Sequence, residues 1–227
     1  MLRISMIGLA LVAGSAAAQT TFFGEDLNAG SAASIPNTIQ ARTDFNNALA
    51  GNSVEDFESF SAGQAPPINL AFTGSAGTIN ATLSGNGQVE NTPITGAFAT
   101  SGTNYFFVTT TGGGTGAQFT INFSSPVAAF GFAATDLSDF GATLNLNLAG
   151  GGGSVPVALP NTVGSGGSTN GSAFFFGVVA GTGQDFTSVT FDIASGAQAD
   201  TFGFDDMTIG DRSQVVIPLP TGAGLAG

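Results

Sequence analysis

Two stretches decide the fold: Gln118-Phe119-Thr120-Ile121-Asn122-Phe123 and Thr143-Leu144-Asn145-Leu146-Asn147-Leu148. In both, apolar and polar residues alternate strictly, which is the period of an extended strand. Phe119, Ile121 and Phe123 share one face, and the three leucines share another, while the Asn and Thr residues between them face water. One buried and one wet face is the antiparallel pattern. Outward from these two stretches, similar runs recur at 54–60, 68–73, 78–83, 105–110, 127–134, 155–159, 173–179, 186–193 and 201–209. Gly, Asn, Ser and Pro separate them, as turns require. Such density predicts an all-β, antiparallel β-sandwich of the jelly-roll, concanavalin-like kind. The nearly continuous run 127–134 reads as a central strand, and Phe174-Phe175-Phe176 as the two faces of a buried one. The glycine runs at 112–114 and 150–153, and the segment 164–171, read as loops.

One short helix is expected over 36–50, started at Pro36 or Asn37 and stopped at Gly51. Ile39, Phe45 and Leu49 fall on one face of it, with Arg42 and Asp44 towards the other.

Composition narrows the chemistry. The 227 residues carry 3 Lys+Arg against 15 Asp+Glu, a net charge of −12, and charged residues are only 8% of the chain. Nucleic acid is not an expected partner, because phosphate binding needs a basic stripe. Cys and His are both absent, and all three cations are Arg. Disulfides, the usual Zn²⁺ sites, Ser-His-Asp and Cys-His catalysis and Schiff-base lysines are therefore excluded. Carboxylates remain as the chemistry-bearing groups.

Residues 1–18 read as a signal peptide. Arg3 supplies the positive start, 4–14 the short apolar core, and Ala16-Ala17-Ala18 the small residues before cleavage ahead of Gln19. The apolar run is shorter than the ~20 residues that span a bilayer. The expected organisation is a signal peptide (1–18), an N-terminal segment with the helix (19–52), the sandwich (53–211) and a C-terminal linker (212–227).

Two acidic segments stand out: Glu55-Asp56-Phe57-Glu58 and Phe202-Gly203-Phe204-Asp205-Asp206-Met207. Strict alternation places Asp56 and Glu58 on the face of Val54 and Phe60, and Asp206 on the face of Phe202 and Phe204. A carboxylate among core-facing residues is costly unless paired or metal-bound. Either a hard cation neutralises these acids, for which Ca²⁺ suits mixed carboxylate and carbonyl ligands, or they lie at strand ends in solvent, where negative charge protects an edge. Asp136 and Asp139 read as turn residues, with a second metal site as the alternative.

Taken together, the secretory leader, Asp56-Phe57-Glu58-Ser59-Phe60, the run 123–132 followed by Asp136-Leu137-Ser138-Asp139, the segment 202–210 and the tail Val216-Ile217-Pro218-Leu219-Pro220-Thr221 resemble the PEP-CTERM exported bacterial proteins. The tail is close to the Val-Pro-Leu-Pro-Ala variant of that sorting signal. In the family the tail continues into an apolar helix and an Arg-rich end, read by an exosortase-type membrane enzyme. This sequence stops at Gly227, before either, so it reads as a truncated sorting signal. The resemblance implies export to the surface or surroundings of a Gram-negative bacterium, with extracellular polysaccharide and biofilm as the setting. A further resemblance, to concanavalin-like adhesion modules in which the first and last strands share a calcium, nominates Glu58, Asp205 and Asp206 as ligands; the alternation argument adds Asp56.

The expected function is a non-enzymatic surface or matrix protein, structural or adhesive and glycan-associated. The alternatives are a glycan-active enzyme using two carboxylates and a self-assembling fibre subunit joined through strand edges. Against a sugar platform stands the aromatic content, with no Trp and a single Tyr, Tyr105.

Overall fold

The computed structural model describes residues 19–109, 116–164, 167–193 and 201–216. The leader and most of the Pro-rich tail lie outside them. In chain order the elements are β1 (Thr20–Asp26), α1 (Pro36–Asn47), β2 (Ser53–Glu55), β3 (Ile68–Gly74), β4 (Gly77–Gly85), β5 (Gln88–Glu90) and β6 (Tyr105–Thr109). There follow β7 (Gly116–Val127), β8 (Ala129–Thr135), β9 (Ala142–Leu148), β10 (Ser154–Ala158), β11 (Ala173–Val179), β12 (Phe186–Ile193) and β13 (Thr201–Gly210). No helix among the described residues is long and apolar enough to cross a membrane.

The strands form two antiparallel sheets packed face to face. The first has the order β1-β11-β8-β13-β6-β5, with β2 pairing a further stretch of β13. The second has the order β10-β9-β12-β7-β4-β3. The chain passes between them at Ala128, which links the end of β7 to the start of β8. The core between the sheets is built from the alternating positions read in the sequence. Phe119, Ile121, Leu144, Leu146, Val189 and Phe191 come from the second sheet, and Phe130, Phe132, Phe174, Phe176, Phe202 and Phe204 from the first. Phe rings meet there edge-on and stacked, with Phe119 and Phe204 centroids 4.8 Å apart and Phe132 and Phe204 4.7 Å apart.

The outside of the first sheet is covered. Phe175 points outwards from β11 to Phe45 of α1, and Ala41, Leu49, Ala129 and Ala133 complete that second layer. All three phenylalanines of 174–176 are thus buried, one on the outer face and two on the inner. Close approach of the helix requires residues without side chains beneath it. A Cβ on Gly177 would lie 2.5 Å from the Phe45 ring, and one on Gly24 would lie 2.3 Å from the Asn37 carbonyl oxygen.

The N-terminal segment assigned to 19–52 is built into the sandwich. Its β1 pairs along its whole length with β11, so the first sheet begins at Thr20 and not at residue 53. Alternation fails in TTFFGED because β1 is an edge strand with apolar residues on both faces: Phe22, half-buried, packs on Phe45 outside, and Phe23, 40% exposed, meets Phe174 at the rim of the core. Asp26 then acts as the N-terminal cap of a helix ten residues later. One of its carboxylate oxygens accepts from the amide of Asn37, the other from the amide and hydroxyl of Thr38. These are orphan donors of the first helical turn, and an acid is favoured there by the helix dipole. The helix is also rotated from its expected setting. Ile39 is 43% exposed, while Arg42 turns towards the sheet.

Candidate functional site

The acids of the last strand sit at a β-bulge. Asp205 opposes Ala133 and Thr208 opposes Gly131, so β13 carries one extra residue against β8. Asp206 takes the left-handed backbone conformation, with φ 49°. The extra residue resets the alternation. Phe204 and Met207 both point into the core, and Asp205 and Asp206 both point to the outer face of the sheet. The expectation that Asp206 shares a face with Phe202 and Phe204 is therefore corrected by the bulge. The same position is where β13 changes partner on one side, from β6 at Thr201–Phe204 to β2 at Met207–Ile209.

Both carboxylates are buried, at 1% and 2% exposure, beneath α1 and the segment 91–104. Arg42 of α1 forms an ion pair with Asp206. The Thr100 hydroxyl lies 3.0 Å from Asp205 and 2.9 Å from Asp206, and the Ser101 hydroxyl donates to Asp206 at 2.7 Å. Backbone amides of Thr100 and Ser101 donate to Asp205 at 2.7 and 3.1 Å, and the amide of Asp206 to its other oxygen at 2.8 Å. Burial and the neighbouring Asp206 charge push the Asp205 carboxyl well above the ordinary carboxylate range, against the pull of those amides.

The acids of the first segment are elsewhere. β2 ends at Glu55, and the chain turns at Phe57, whose φ is 58° and whose ring is fully buried against Phe106. Asp56 and Glu58 therefore do not continue a strand beside Val54, which corrects the shared face read from alternation. Glu58 is exposed and accepts from the amides of Thr103 and Asn104, each at 2.6 Å, and from the Thr103 hydroxyl at 3.1 Å. Those amides, Asn104's first, hold its carboxyl below the usual range. Asp56 accepts from the amide of Glu58 at 3.2 Å, an Asx-type turn. Glu55, which alternation left unassigned, has its carboxyl raised by burial.

The segment from Thr100 to Asn104 thus clamps two acids separately: two of its amides bind Asp205, and two others bind Glu58. Successive amides converging on an anion form a nest, here filled by the protein's own carboxylates. Among the described residues, no three of His, Cys, Asp and Glu gather into a group fit to hold a metal ion. Asp56, Glu58, Asp205 and Asp206 form no such group, and Arg42 with in-chain donors surrounds the buried pair. Helical periodicity places Arg42 on the face away from Phe45; the rotated helix instead turns it to Asp206 as the neutraliser.

Asp136 is buried in a left-handed turn after β8, with Thr169 donating to it at 3.3 Å. Tyr105 lies at the base of a surface cleft of about 290 Å³ lined also by Ser31, Asn91, Phe98 and Thr103. Its hydroxyl donates to the Thr92 carbonyl, and burial, with Glu90 nearby, pushes the phenol up to about 12.

The second sheet has a different exterior. Among the described residues no helix packs on its outer face, and the residues that alternate with the core there are mostly Asn, Thr and Ser. Thr120 and Thr190 hydroxyls meet at 3.0 Å, the Asn147 amide donates to Ser188 at 3.0 Å, and the Asn145 amide donates to Asp192 at 2.7 Å.

No family model and no curated protein matches the sequence. Among solved structures, the chain is similar to the K2 cleaved adhesin domain of Lys-gingipain, with 14% identity over 70% of this chain and 97% of that one and a TM-score of 0.44. It is also similar to a family 11 carbohydrate-binding module from Clostridium thermocellum, with 9% identity over 71% of this chain and 96% of that one and a TM-score of 0.30. A third likeness is to the catalytic domain of a GH87 α-1,3-glucanase, with 14% identity over 78% of this chain but 30% of that one and a TM-score of 0.38.

Proposed function

We propose that the protein is an exported, non-enzymatic β-sandwich of the bacterial surface or extracellular matrix, adhesive and glycan-associated. One observation carries the non-enzymatic part. Asp205 and Asp206, two of the acids a carboxylate mechanism could draw on, are buried and committed to Arg42, Thr100 and Ser101. A glycosidase pair must instead face a substrate across ~5–10 Å of accessible space. Export is supported by the order of charge, apolar core and small residues in 1–18. The tail from Val216 to Thr221 belongs to the same reading, as the signal for an exosortase-type enzyme.

The test is to express the full chain in a Gram-negative host, recover the exported form and incubate it with polysaccharides. Mass spectrometry is expected to give Gln19 as the first residue. The protein is expected to be retained on glycan without releasing reducing ends. Release of reducing ends that disappears in Glu58→Gln would replace this reading with the carboxylate enzyme.

A further inference from the structure

The first sheet is covered outside by α1 and the segment 91–104, whereas among the described residues no helix packs on the outside of the second, where Asn69, Asn122 and Ser154 are exposed, Thr82, Thr120, Asn145, Asn147 and Thr190 half-buried and Ser188 buried. Its registers place one polar residue from every strand in a single line: Asn69, Thr82, Asn122, Ser188, Asn147 and Ser154, following the spatial order β3-β4-β7-β12-β9-β10. A second line runs beside it through Ser84, Thr120, Thr190 and Asn145. Strand spacing makes the first line about 24 Å long, and the two lines lie about 7 Å apart.

The chemistry of this lattice is specific. The chain carries 15 acidic residues, yet Asp192 is the carboxylate that joins these lines, and it is tied to Asn145. No cation lies in either line to attract an anionic polymer. Nor is there an apolar centre of the kind that joins two protein copies. Pro156, in the edge strand β10, lacks the amide that strand addition would use. What remains is an ordered field of uncharged hydroxyls and amides, partly fixed by lateral hydrogen bonds. Asn122, exposed on the inner strand β7, has a side-chain amide with no hydrogen-bond partner among the described residues.

We infer that a neutral polysaccharide docks on the outer face of the second sheet, running across the strands along these two lines. The inference rests on the glycan-associated reading above and names its site and its ligand class. Polyhydroxy chains offer donors and acceptors along both edges, as amide and hydroxyl rows require. Without aromatic stacking each contact is weak, so retention depends on the repeated sites of a polymer.

The experiment measures retention of the mature protein on cellulose, chitin and starch granules, with alginate and chitosan as charged polymers. Three variants accompany it: Thr82→Ala with Asn122→Ala, Thr120→Arg, and Gln40→Ala on the exposed face of α1. The expected result is retention on a neutral polymer, a loss of about fivefold or more in the first two variants at unchanged Tm, and none in Gln40→Ala. Retention on a neutral polymer that both face variants preserve overturns this site and leaves the glycan-associated reading standing. Retention on chitosan or alginate alone overturns the neutral ligand and this site and leaves the glycan-associated reading standing; no retention on any polymer, neutral or charged, overturns both. If one face variant melts early, the other decides.

Discussion

The guanidinium of Arg42 reaches Asp206 across 164 positions of sequence, and it does so because a left-handed residue in β13 turns that carboxylate out of the core. The ion pair joins α1 to the strand at the centre of the first sheet. Thr100 and Ser101 close over it from the segment 91–104, so three otherwise separate pieces of chain share one buried polar knot.

Removing one partner of that pair leaves an uncompensated buried charge. Arg42→Met is expected to cost about 2–4 kcal/mol, at or below the usual loss for a buried pair because the arginine is partly solvated. Asp206→Asn should cost less, since the freed guanidinium can reach water. In a double-mutant cycle the pair should be less destabilised than the two single losses summed. Urea denaturation followed by circular dichroism measures all three; strict additivity would show that the pair contributes nothing.

The contact between helix and sheet gives a steric prediction. Gly177→Ala places a methyl against the Phe45 ring, which is itself held by Phe22 and Phe175. Overpacking of this kind costs about 1–3 kcal/mol. Phe45→Ala should cost about 3–5 kcal/mol through the cavity it leaves. The combination is informative: in the Phe45→Ala background the added methyl has room, so Gly177→Ala should become nearly neutral. A full penalty there would place the clash elsewhere.

Much of this architecture is legible in the sequence. Runs such as 118–123 and 142–148 alternate cleanly because one face is core and the other carries polar side chains, and they mark the second sheet. The first sheet is harder to read because both faces are covered. In β1, at the edge of that sheet, Phe22 packs under the helix while Phe23 on the opposite face is half out in solvent beside Phe174, so no period-two signal survives. The acidic site failed for a related reason. Alternation carries a side chain's direction forward only while the strand stays regular. The bulge at Asp205-Asp206 and the turn at Phe57 each break that regularity, and neither has a Gly to announce it. Arg42 was hidden by a helix whose apolar face is small, Ala41 and Phe45 with Thr38, and does not include Ile39.

Calcium provides a direct test of who neutralises the acids. With Arg42 and the in-chain donors in place around Asp205 and Asp206, melts in EDTA and in millimolar Ca²⁺ are expected to coincide. An ion bound only by the folded state at a hundredfold excess over Kd would add about 2.7 kcal/mol, several degrees in Tm. A shift of that size, erased by Asp205→Asn with Asp206→Asn, would restore the metal site.

Stability should peak at mildly acidic pH. Asp205 has its folded carboxyl raised above the ordinary 3.8 by burial and by Asp206. A raised acid binds its proton more tightly when folded, so its contribution is fully present below that ordinary value and is lost as pH rises through the raised one. Glu58 and Asp211 act in the opposite sense. Amides of Asn104 and Thr103 lower the first; Ser75 hydrogen bonding, against a burial penalty, lowers the second. Their contributions are present above 4.5 and 3.8 and are lost as pH falls through the lowered values. The denaturation midpoint is therefore expected to be higher at pH about 5 than at pH about 8, and to fall again below pH about 4. The chain has no Trp, so circular dichroism is the natural probe. General self-repulsion of a chain at −12 gives a drop of the same sign towards pH 8, but salt screens it, while the buried pair is screened far less. In half-molar salt the wild-type drop should persist, and in Asp206→Asn, where the neighbouring charge is gone, it should shrink. A drop that salt abolishes would assign the pH dependence to the surface; one that Asp206→Asn leaves untouched would assign it to another partly buried acid such as Glu55, whose carboxyl burial also raises, and not to the bulge.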